Sequence, residues 1–148
     1  MILKQLFFTA ALLATGLAQA QMTPVGTWHT IDDETKEVKS EVHIVDNGGV
    51  LTGKVTKLLR KEARQDAVCD ECTDDRKGKP VLGMTIIRNI KANADDKGIW
   101  DGGDILDPNN GKVYKVRIKT ADGGKKLEVR GYIGAPLLGR TQTWIRVE

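Results

Sequence analysis

With 148 residues, and 23 Lys and Arg against 20 Asp and Glu, the chain has a formal charge of only +3, too even a balance to predict nucleic-acid binding. Ser occurs once, at Ser40, and His twice, at His29 and His43, so the side chains most used for nucleophilic and metal chemistry are scarce. The 16 glycines point instead to many tight turns.

Residues 1–20 read as a cleavable export signal: Lys4, an apolar stretch from Leu6 to Leu17, then the small-residue site Ala18-Gln19-Ala20. Gln21 rather than Cys follows, so no lipid anchor is expected, and the apolar stretch is too short to span a bilayer as a helix. Removing those 20 residues leaves 128, the size of one domain, 21–148, around one core. The mature product is expected to be a soluble monomer, periplasmic or secreted, with no membrane span.

Gly26-Thr27-Trp28 opens the first strand. Val38, Ser40, Val42 and Ile44 then alternate with Lys39, Glu41 and His43, the period of a half-buried second strand. Asp46-Asn47-Gly48-Gly49 is a hairpin signal, because Asn and Gly accept positive φ, and Val50 to Leu58 returns as the third strand. Residues 59–80 break this rhythm with the charged run Arg60 to Asp66, the pair Cys69 and Cys72, and the turn-rich stretch Asp74 to Pro80. They predict one long excursion containing a single helical turn.

Val81 to Ile90 and Ile99 to Leu106 read as the fourth and fifth strands, with Gly102 and Gly103 marking a bulge or a close backbone approach. In the sixth, Tyr114, Val116, Ile118 and Thr120 oppose Lys115, Arg117 and Lys119. In the seventh, Leu127, Val129, Gly131 and Ile133 oppose Lys126, Glu128, Arg130 and Tyr132. Gly134 to Gly139 leads into the last strand, 140–147.

Eight strands joined mostly by short reversals, with no repeated βα pattern, form most economically a meander that closes on itself. The expected fold is all-β, a single eight-stranded antiparallel up-and-down β-barrel with one long loop at 59–80. An open sandwich of two sheets fits the same alternation. Closure removes exposed edges and makes the first and last strands neighbours. Trp28 and Trp144, with Arg140 and Arg146, are then expected to plug one end, guanidinium over indole. Arg140, Gln142, Trp144 and Arg146 share one parity of the last strand and Thr141, Thr143, Ile145 and Val147 the other; alternation does not say which faces in.

From Gly26 onward the motifs follow a specific order: Gly26-x-Trp28, Gly53-Lys54, Cys69-x-x-Cys72, Lys79-Pro80 and Asp107-Pro108-x-Asn110-Gly111-Lys112-x-Tyr114. Arg130-Gly131-Tyr132-Ile133-Gly134 and Gly139-Arg140-Thr141-Gln142-Thr143-Trp144-x-Arg146 complete it. In this the chain resembles the exported bacterial proteins grouped as domain of unknown function 2147, over essentially the whole mature length. The resemblance implies a lipocalin-like or fatty-acid-binding-protein-like barrel in the envelope space, and implies no activity and no agreed site residues. Gly26-x-Trp28 also resembles the lipocalin signature, for which Arg140 and Arg146 are the candidate C-terminal arginines.

The interior is expected to be aliphatic, drawing on Val42, Ile44, Leu51, Val55, Met84, Ile86, Val116, Ile118, Leu127 and Val129. A barrel of this size holds its own side chains alone or one slim apolar ligand such as an acyl chain or lipid. A lipocalin-like binding module is therefore the first expectation. The alternative is a packed barrel that meets an envelope protein through loops 59–80 and 134–139, with Leu137-Leu138 as the apolar contact.

An enzyme or thiol oxidoreductase comes third. Cys69 and Cys72 read as a disulfide staple, because Asp70, Glu71, Asp74 and Asp75 around them disfavour a thiolate. Zinc would need two further ligands, and Asp101, Asp104 and Asp107 lack the spacing of a calcium loop. No catalytic motif, cofactor fingerprint or metal site is read from the chain.

Overall fold

The computed structural model describes residues 22–147, so the expected export signal lies outside the described residues. Eight strands form the barrel: β1 (Gly26–Ile31), β2 (Val38–Asn47), β3 (Val50–Leu58), β4 (Thr85–Ala92), β5 (Trp100–Leu106), β6 (Val113–Ala121), β7 (Lys126–Tyr132) and β8 (Arg140–Val147). Each pairs antiparallel with its sequence neighbour, and β1 closes the ring against β8 through Thr27↔Val147, Trp28↔Arg146 and His29↔Ile145. Closure decides between the barrel and the sandwich, because a sandwich would leave β1 and β8 as edges.

The alternation read in the sequence sets which residues point inward. Trp28 faces Val42, Val42 faces Val55, Ile118 faces Val129 and Leu127 faces Trp144 across successive strand pairs. All are buried, while Lys54, Lys119 and Thr143 at the opposite parity are exposed. On β8 the inward set is Gln142, Trp144 and Arg146, because only that parity puts an indole into the core.

Three departures have local causes. β4 begins at Thr85 rather than Val81, since Val81 to Met84 fold into a turn closed by Met84 N–H on Val81 O. The same four residues tie the excursion down: Val81 N–H donates to Ala67 O and Gly83 N–H to Val55 O. Residues 59–80 contain no helical turn, whereas short 3₁₀ turns occur at Asp122–Gly124 and Pro136–Leu138. At Gly103 the expected close approach is present, for a Cβ there would run into the backbone of Arg88 and Asn89 on β4.

Candidate functional site

The two ends of the barrel are built from different side chains. At one end Trp28 is fully buried, its Nε1 donating to Pro24 O at 2.8 Å, and the Arg146 guanidinium lies over its ring 4.2 Å from the centroid. Arg146 also donates from Nε to Gly124 O at 2.6 Å, and from Nη1 and Nη2 to Val25 O and Thr23 O at 2.9 Å. One side chain thus joins the segment before β1, the β6–β7 turn and β8. Burial lowers the Arg146 pKa from its ordinary value, and the side chain remains a cation.

Gly26 has φ +142°, and a Cβ at that position would run into Arg146 Nη1. The Gly-x-Trp pattern therefore has a mechanical reason. Glycine leaves space for the arginine that caps the tryptophan two residues later.

Next to this plug the barrel is full. Val42, Ile44, Leu51, Val116, Ile118 and Leu127 pack with Ile87 and Ile90 in one buried cluster that also includes Met84. All ten residues expected to line a ligand space belong to this buried cluster, because large aliphatic groups meet across a ring of only eight strands, and these seven do not border the barrel's open cavity. Val55, Ile86 and Val129, the other three, border that cavity, at the far end.

That cavity has a volume of about 720 Å³, within the range of roughly 300–1,000 Å³ typical of small-molecule sites. Its buried lining is Val55, Ile86, Leu106, Val129 and Trp144, and Leu58, Ile105 and Tyr114 line it half-buried. Across from this apolar wall lies a polar strip on β8, β1 and β2. The Thr30 and Ser40 hydroxyls pair at 2.7 Å, and Trp144 Nε1 donates to Gln142 Oε1 at 3.3 Å. The lining is amphipathic from side to side.

Lys39, Arg60, Arg64 and Arg140 stand around the mouth. Arg140, expected at the plug, is here because β8 runs from the open end to the closed one and only Arg146 reaches Trp28. It pairs with Asp33 on the β1–β2 loop, as Arg60 pairs with Asp32. Leu137 and Leu138, with Ile133 nearby, are 88%, 78% and 66% exposed on the same rim. Backbone hydrogen bonds from Thr35 and Glu34, followed by the Arg60 charge, lower the Asp32 pKa despite an opposing desolvation effect.

The excursion flanks the mouth and is held by three devices. Cys69 and Cys72 form a disulfide and are fully buried, and Cys69 Sγ lies 3.6 Å from Pro108 O on the β5–β6 turn. Arg76, 4% exposed, donates from Nη2 to Asp74 at 2.6 Å and from Nη1 to Thr85 O at 2.9 Å. Arg88 on β4 grips Asp75 with two bonds of 3.0 and 2.9 Å. Hydrogen bonds from Arg76 hold the Asp74 carboxyl at a pKa of about 2.

His29 and His43 are cross-strand partners, His29 Nε2 lying 3.5 Å from Glu41 and His43 Nδ1 2.9 Å from the Thr27 hydroxyl. Among the described residues no cluster of three or more His, Cys, Asp or Glu is placed to hold a metal ion. Sequence reasoning missed Thr30, Tyr114 and Gln142 as lining residues. The available signal was a polar group at inward parity, which a filled core would exclude.

Residues 26–146 match the family model described as "Uncharacterized protein conserved in bacteria (DUF2147)". A solved structure, described as "Protein HP1028 from the human pathogen Helicobacter pylori belongs to the lipocalin family", is similar with a TM-score of 0.72 at 18% identity. The similarity covers 86% of this chain and 84% of that one, and identity this low speaks to the fold alone. No curated protein matches the chain.

Proposed function

Because the chain belongs to the DUF2147 family, described only as uncharacterized and conserved in bacteria, we propose its function from geometry: an exported binding protein that holds one slim apolar ligand. The observation that carries this reading is the cavity of about 720 Å³, with Val55, Ile86, Leu106 and Val129 in its lining, at the barrel end opposite the Trp28–Arg146 plug. An acyl chain fits the description, with its tail on Val55, Ile86 and Val129. The export pattern of residues 1–20 and the Cys69–Cys72 disulfide both support an oxidising compartment outside the cytoplasm.

Native mass spectrometry of the mature protein after mild purification is the test. A lipid-sized adduct is expected, and it should be lost in Ile105→Trp, which fills the mouth. An unadorned protein that also takes up no neutral chain-like fluorophore would overturn the reading. The exposed pair Leu137 and Leu138 favours a second reading, an apolar contact with an envelope protein. Its mark in the same spectra is a protein-sized adduct that Leu137→Asp removes.

A further inference from the structure

Adjacent carboxylates on the β1–β2 loop meet guanidinium groups on two sides of the mouth. Asp32 accepts from Arg60, just past β3, and Asp33 accepts from Arg140, the first residue of β8. The second contact is the more informative. Asp33 Oδ2 also accepts from Gln142 Nε2 at 3.1 Å, and the Gln142 amide is oriented by the Trp144 Nε1 bond to its Oε1. Arg140, Gln142 and Trp144 all line the cavity. A chain of donors therefore runs along β8 from the buried Trp144 to the rim and ends on a carboxylate oxygen.

We propose that Arg140 and Gln142 form a binding site for the carboxylate head of a single-chain amphiphile, and that Asp33 occupies it until the ligand displaces it. The inference rests on the container reading above. A chain lying on Val129 and Ile86 brings its head level with β8, where a guanidinium and an amide N–H supply charge-assisted bonds to carboxylate oxygens. The resident ion pair is weak enough to exchange. Arg140 is 75% exposed and Asp33 37%, so water screens their attraction.

Exchange leaves no stranded charge, because a released Asp33 sits at a wet rim. The incoming carboxylate brings what Asp33 lacks, a tail whose burial on the apolar lining adds to the bonds its head makes with the same donors. Asp33 also sets specificity. A neutral head group cannot replace it on Arg140 and gains nothing from the donor chain.

The test uses the mature chain and a neutral fluorescent naphthylamine bound in the cavity, displaced at neutral pH by dodecanoic acid or by dodecanol. The acid should act at roughly three- to tenfold lower concentration than the alcohol, the range between an exposed ion pair and a charge-assisted bond. Arg140→Gln should bring the acid level with the alcohol. Asp33→Asn should sharpen the acid about threefold and leave the alcohol where it was. Equal displacement by acid and alcohol in the unaltered protein, or an Arg140→Gln variant that weakens both alike, overturns the carboxylate site and leaves the container standing. Failure of the protein to take up the probe at all overturns both.

Discussion

The closed half of the barrel and its open half are made from the same eight strands with the same alternation, yet one is solid and the other hollow. In the closed half the inward positions carry Trp28, Ile44, Leu51, Ile90, Ile118 and Leu127, whose bulk meets at the axis. In the open half several inward positions carry Thr30, Ser40, Gly131 and Gln142, which are too small or too polar to fill the centre. Hollowness here comes from side-chain choice at fixed parity. The strand count is the same in both halves.

The contrast predicts where stability resides. Trp28→Ala removes the largest member of the solid half, its bond to Pro24 and the surface under Arg146, and should lower the unfolding free energy in urea by about 4 kcal/mol. A loss below about 1 kcal/mol would mean the plug is not what holds the ends together. Replacing Cys69 and Cys72 together by Ala acts on the open half. Its short closed loop gives an expected loss of about 2 kcal/mol in the same experiment, with the barrel's far-ultraviolet spectrum retained.

The smallest effect follows pH. Asp74 has a folded pKa of about 2 against an ordinary 3.8, depressed by hydrogen bonds from Arg76. A depressed carboxylate stabilises fully above its unfolded pKa and loses that contribution as pH falls through the folded one. The excursion should therefore loosen between about pH 4 and pH 2, by roughly 1 kcal/mol once solvent screening of a one-third-exposed group is discounted. Amide exchange at Cys69, Gly78 and Lys79, which are bonded within the excursion, is the readout, and Asp74→Asn should flatten the profile. A profile unchanged by that substitution would locate the acid sensitivity elsewhere.

Much of the architecture was legible. Val38 to Ile44, Tyr114 to Thr120 and Leu127 to Ile133 carry a period of two that leaves little choice but a half-buried strand, and Asn47-Gly48 marks the first reversal. Val81 to Ile90 misled at its start, because the backbone of Val81 to Met84 turns to bond Ala67 of the excursion and Val55 of β3 before the regular β3–β4 ladder begins, while the Met84 side chain packs in the core. Arg76 was invisible. It sits in a charged run whose composition reads as solvated, and only the folded chain brings Asp74 and Thr85 O around it.

Local spacing alone determined the strand count and the two alternating sets on most strands, because each depends on near neighbours. The tertiary structure alone decided that the chain ends pair, that Arg146 rather than Arg140 caps Trp28, that only three of the ten expected lining residues border the cavity, and that Asp33 reaches Gln142 across 109 positions. Those outcomes turn on height along the barrel axis and on which side chains meet at its centre. Residues of the same parity are identical in sequence pattern, and only closing the ring gives them different neighbours.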